Sequence, residues 1–156
     1  MISVTAQHAL RALVELAAAA PTDAVGGRDL ARAASIPPNY LAKILRTLGT
    51  AGIIVAARGT GGGYRLNRQP RSIRLADVVM LFDPARSASD CLMDGTHPCS
   101  DATACAAHHK WRHVKAAYVR FLETTTLATL VVRHGQAKAA VVQPRTVATA
   151  KTPRRR

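Results

Sequence analysis

The chain has 156 residues, 48% of them hydrophobic, which is enough for one domain with an appendage and too short for two full domains. Aromatic residues are only 4%, so the core has to be built from Ala, Leu and Val, which suits closely packed helices. A net charge of +13 with a pI near 11.0 needs a polyanionic partner or a basic tail to explain it; as a partner, nucleic acid is favoured over a membrane surface, because no strongly amphipathic basic helix stands out and no apolar run nears the roughly 18 residues that span a bilayer.

From Thr5 to Ala20, Ala9, Leu10, Leu13, Val14, Leu16 and Ala17 recur with helical spacing, and Pro21 ends the run. This first segment lacks the charged start of a secretory signal, so a cytoplasmic location is expected. A short helix is predicted from about Arg28 to Ala34, with Asp29 near its positive end. The stretch SIPPNYLAKILRTLGT turns at Ser35 to Pro38 and continues as a helix. Tyr40, Leu41, Ile44, Leu45 and Leu48 form its apolar face, while Asn39, Lys43, Arg46 and Thr47 fall largely on the other. Two short helices joined by a tight turn, the second with a basic free face, have the shape of a helix-turn-helix, although a helical hairpin with a solvated polar face has the same pattern.

The next segment favours the DNA reading. IIVAARGTGGGYRL reads as a strand over Ile53 to Ala57, a glycine-rich tip at Gly59 to Gly63 and a return strand over Tyr64 to Leu66. Arg58 and Arg65 flank the tip, and arginine suits both phosphate contacts and a narrow minor groove. A nucleotide-phosphate loop would instead lead into a helix and carry a Lys-Ser/Thr pair, which this segment lacks. SIRLADVVMLFDP is a further helix opening near Ser72 or Ile73 and closing before Pro84.

Residues 85–105 are rich in Ser, Asp, Gly and Pro and hold all three cysteines, Cys91, Cys99 and Cys105. Seven residues separate the first pair and five the second, and two more lead to His108. Zinc fingers and ribbons space cysteine pairs two to four residues apart, so this spacing suits a larger inorganic unit, and in a 2Fe-2S centre imidazole can replace thiolate. An odd cysteine count cannot pair completely within the chain, and a reducing compartment keeps the thiols free. Three unrelated buried cysteines are the simpler alternative. His97, His109 and His113 read as solvated or packing residues. A helix is predicted from about Ala106 to Glu123, with Trp111, Val114, Tyr118, Phe121 and Leu122 for packing, and it is the candidate dimer interface. Everything after Gly135 lacks periodicity and reads as a flexible basic tail carrying six of the 22 Lys and Arg residues.

The order of these parts, with RGTGGGYRL, IRLADVV, the three-cysteine loop and FLETTTLATL, resembles the Rrf-two family of bacterial winged-helix regulators, the family of IscR, NsrR and RirA, over about residues 1–134. The resemblance implies a mainly α fold with a small β-wing: a winged helix-turn-helix over 1–83, a cluster loop over 84–105, a dimerisation helix and short helical end over 106–134, and a tail over 135–156. It implies a non-enzymatic homodimer, a repressor by expectation, that reads palindromic promoter DNA. An iron-sulfur cluster, 2Fe-2S ahead of 4Fe-4S, would report nitric oxide, iron or cluster status, or redox. Carried over by position, Cys91, Cys99 and Cys105 are the cluster thiolates and His108 the fourth ligand, ahead of His8. Arg28, Pro38, Asn39, Tyr40, Lys43, Arg46, Arg58, Thr60, Gly61, Gly62, Tyr64 and Arg65 are the DNA-facing candidates. The chain departs from the family in two places. The first cysteine gap is two residues longer than usual, and the TAQHAL segment offers Gln7 and His8 where NsrR-like members place an acid. The alternative is a regulator of the same fold that has no cluster and senses oxidant or another metal through its thiols.

Overall fold

Small residues at helical spacing set the architecture. In the computed structural model, which describes residues 2–19, 23–59, 61–83 and 104–131, helix α1 runs over Val4–Ala18. Ala6, Ala9 and Ala12 on its inner face are fully buried beside Leu13. Methyl-sized side chains let neighbouring helices approach closely, so a core poor in aromatics still fills its volume. Ser3 caps the helix, its Oγ accepting from the Ala6 amide at 3.1 Å.

Helices α2 (Gly27–Ala34) and α3 (Pro38–Thr50) follow. Ser35 sits between them in the left-handed conformation at φ 54°, and the Ile36 amide donates back to Ala31 at 2.9 Å, which closes α2 and starts the turn. Pro38 opens α3, where its missing N–H costs nothing. Leu41, Ile44, Leu45 and Leu48 of α3 are buried, as the sequence pattern predicts.

Strands β1 (Ile54–Ala57) and β2 (Gly63–Leu66) form an antiparallel hairpin with Ile54 opposite Leu66 and Ala57 opposite Gly63. Val25, in the connection between α1 and α2, adds a bridge to Tyr64 through two 2.9 Å backbone bonds. A 3-10 turn at Pro70–Ser72 leads into α4 (Leu75–Phe82). The sequence places the start of this helix at Ser72 or Ile73. The structure puts it later because Ile73 and Arg74 are extended and pair with the chain beyond α5 (His108–Thr124). Leu75 donates to Thr125 and Leu127 to Ile73, each at 2.9 Å. A short helical piece at 127–131 follows.

The core therefore joins α1, α2, α3, β1 and α4 with Leu122 at the far end of α5 and Leu127 just beyond it. No helix among the described residues is long and apolar enough to cross a membrane.

Candidate nucleic-acid interface and cysteine loop

Helix α3 buries one face completely, and this determines what its other face offers. Pro38, Asn39, Lys43 and Arg46 are exposed. The last three are spaced four and three residues apart and so lie along a single stripe. Thr47 turns its hydroxyl back to the Lys43 carbonyl at 3.3 Å. Arg28 is exposed in the first turn of α2.

Tyr40 stands apart from this stripe. It is half-buried, its hydroxyl lies 2.6 Å from Thr5 Oγ1 of α1, and the His8 ring meets it edge-on at 5.5 Å. Its described contacts tie the start of α3 to α1.

The wing is built for close approach. Gly59 and Gly61 have φ of 98° and 83°, and the Gly62 amide donates to the Gly59 carbonyl at 2.8 Å, closing a tight tip. A Cβ on Gly62 would stand 2.6 Å from the Ala57 carbonyl oxygen, so the tip has no room for a side chain there. Arg58 and Arg65 are exposed at the two sides. Thr60 lies outside the described residues. Tyr64 is half-buried and packs against the core, held through its backbone by Val25. Guanidinium and ammonium groups on a helix stripe and an adjacent hairpin can contact phosphates and base edges together.

Cys91, Cys99 and His97 lie outside the described residues. Cys105 is exposed just ahead of α5, and its carbonyl accepts from the His108 amide at 3.0 Å. His108 is buried, its ring 5.6 Å from that of His109. Among the described residues no three His, Cys, Asp or Glu side chains gather as a metal site. A thiol and an imidazole at the head of one helix are nonetheless of the donor type that iron-sulfur centres use. His8 is placed differently. Its Nδ1 is buried without a hydrogen-bond partner and its ring packs on Tyr40.

The anchor before the loop is not legible in the residue pattern. Asp83, at the end of α4, is buried, and its Oδ2 accepts from the Ser3 amide at 2.8 Å, which fixes the start of α1. The only available signal was an acid beside a proline, and neither residue points to a partner eighty positions away.

Residues 2–133 match the Rrf2 (Rrf-two) family, described as "Iron-dependent Transcriptional regulator". The chain belongs to the Rrf2 family. A Mycobacterium tuberculosis protein provisionally named an HTH-type transcriptional regulator is 41% identical over 128 residues, covering 81% of this chain and 78% of the relative. IscR of Vibrio campbellii is 30% identical over 125 residues, covering 80% and 73%. Among solved structures the chain is similar to CymR, the global cysteine regulator of B. subtilis, with a TM-score of 0.72 at 24% identity, covering 85% of this chain and 97% of that one. The winged-helix fold and a role as a transcriptional regulator rather than an enzyme follow from this membership. The exposed stripe of α3 and the wing are then the surfaces to consider for DNA.

Proposed function

We propose that the protein is a homodimeric repressor that binds a palindromic promoter site, and that an iron-sulfur cluster held by Cys91, Cys99, Cys105 and His108, 2Fe-2S by preference, sets its affinity. One observation carries this reading: the cysteine segment is anchored at both ends in the body that bears the DNA-facing residues. It follows Asp83, which is bonded to the start of α1, and it ends at Cys105, three residues before the buried His108 that begins α5. A change in the loop therefore acts on α1 and α5 together. Helix α1 in turn holds the start of α3 through the contact between Thr5 and Tyr40.

When bound, the cluster would supply the chemistry that reacts with nitric oxide or oxidant or reports iron supply. The rest is the work of the chain. Lys43 and Arg46 meet the major groove, Arg58 and Arg65 clamp beside it, and the far end of α5 and the residues just after it are fixed in the core by Leu122 and Leu127. Val114 and Phe121 are exposed on α5 at 57% and 49%, apolar surface that a second copy would cover. Two recognition helices held at one spacing gain affinity jointly, and a shift in that spacing loses it. A regulatory switch requires that the two states differ in DNA affinity.

The test is an anaerobic visible spectrum with iron and sulfide assays on the wild type and on Cys99→Ala, followed by promoter binding in each state. Colour with matched iron and sulfide, lost in the variant, together with unequal DNA affinities, is the expected result. Protein that stays colourless after reconstitution would overturn the cluster reading and leave a regulator that senses through bare thiols.

A further inference from the structure

Between the end of α1 and the segment that runs from the end of β2 to Arg71, the chain builds a cleft of about 460 Å³. Leu16 and Ala17 line one wall, and Arg65, Asn67, Arg68 and Arg71 line the other. The segment that carries Arg68 and Arg71 is hydrogen-bonded to itself and to the chain before β1. Asn67 donates from its amide to Ile53 at 2.9 Å and from Nδ2 to Gly52 at 3.1 Å. Arg68 donates to the Ser72 carbonyl at 2.6 Å, and Ser72 returns both its amide and its hydroxyl to Gln69.

The charge in this wall is poorly compensated. Asp77 is 3.7 Å from Arg68 but also pairs with Arg74 at 3.1 Å. Arg65 and Arg71, both exposed, have no ion-pair partner among the described residues. Like charges lining one cleft raise the free energy of the empty site, and an anion relieves it. Arginine presents a planar fork suited to phosphate oxygens. The volume falls within the range of about 300–1,000 Å³ typical of small-molecule sites and exceeds what one phosphate fills. The Leu16 and Ala17 wall gives the remainder of such a molecule an apolar surface.

The geometry points to an anion site in this cleft that takes a phosphate ester, with Arg71 and Arg68 on the phosphate and α1 against the group it is joined to. A phosphate ester can come from a small nucleotide-like molecule or from the sugar-phosphate backbone of DNA flanking the half-site. The inference does not depend on the cysteine loop, so it stands or falls separately from the cluster reading.

Inorganic pyrophosphate is titrated calorimetrically, at fixed ionic strength, into the full chain, Arg71→Gln and Arg120→Gln. The last variant removes the same charge from the exposed side of α5. Saturable binding near one per chain is expected, weakened about tenfold or more by Arg71→Gln and less than about twofold by Arg120→Gln. No saturable binding, or equal losses in the two variants, overturns the site and leaves only general attraction to a basic protein. A second arm uses duplexes selected from a random pool by the full chain and prepared with short and long flanks. If Arg71→Gln loses affinity for the long-flank duplex alone, the ester is supplied by the DNA backbone. If both duplexes bind unchanged while pyrophosphate binding is lost, the ligand is a small molecule. Equal loss on both duplexes would place Arg71 in the half-site contact and overturn a separate site.

Discussion

The hydroxyl of Tyr40, at the start of α3, lies 2.6 Å from the hydroxyl of Thr5 on α1. Both side chains are only partly exposed, so this bond is partly shielded from water. Tyr40→Phe keeps the ring against His8 and removes this bond alone. The expected cost is about 1 kcal/mol of stability, read as a lower midpoint with an unchanged slope in urea at fixed chain concentration. Promoter affinity should fall as well, because the start of α3 loses a tether. An unchanged affinity would show that α3 is positioned by its buried face alone.

Two glycines separate strain from freedom. A Cβ on Gly63 would stand 2.3 Å from the Val25 carbonyl oxygen, a backbone atom that cannot yield cheaply. Gly63→Ala should destabilise by about 1–3 kcal/mol and loosen the wing from the α1–α2 connection. At Gly49, within α3, an added Cβ meets nothing within 4 Å. Gly49→Ala should stabilise by about 0.5–1 kcal/mol through helix propensity. Thermal unfolding of the two variants side by side should show shifts of opposite sign.

Leu127 is fully buried beyond the end of α5, and its amide is held by Ile73. Leu127→Ala should cost about 2–5 kcal/mol, the range for a leucine emptied from a packed core. Amide exchange would then be faster around Ile73 and Leu75, far from the substitution in sequence. Faster exchange confined to residues near 127 would mean that this segment only rests on the core.

Arg46 is exposed on the α3 stripe and makes no ion pair among the described residues. If it neutralises a phosphate, Arg46→Ala lowers the slope of log affinity against log salt by about 1 and weakens all sequences alike. If it reads a base edge, the cost is about 1–3 kcal/mol on the preferred sequence only. Binding measured at three salt concentrations on selected and scrambled duplexes distinguishes the two.

Helix existence was legible because burial follows periodicity. The α3 positions Leu41, Ile44, Leu45 and Leu48 are buried as their spacing predicts, and β1 and β2 lie within one residue of the expected strands. Single bridges between distant segments leave no such trace. Neither the pairing of Val25 with Tyr64 nor that of Arg74 with Thr126 changes the local pattern. Both override it, and the second moves the start of α4 two residues later than its apolar run suggests. Among the site residues, those exposed on helix faces could be read from the pattern, whereas the contacts of Tyr40 and Asp83 could not, because hydroxyl and carboxylate partners are set by packing. Cys91 and Cys99 lie outside the described residues, so the ligand set rests on spacing and family resemblance.

The pairing of Leu75 with Thr125 and of Ile73 with Leu127 also bears on how the protein is made. These contacts join positions about fifty residues apart, so closing them costs chain entropy that local helices do not. While the chain is being synthesised, α1 to α4 leave the ribosome before the segment that covers Ile73 exists. The α1–α4 body is then left with an open edge until nearly the whole family-matched region has emerged, and released chains truncated before Thr125 should be far more sensitive to protease than those ending after Val131.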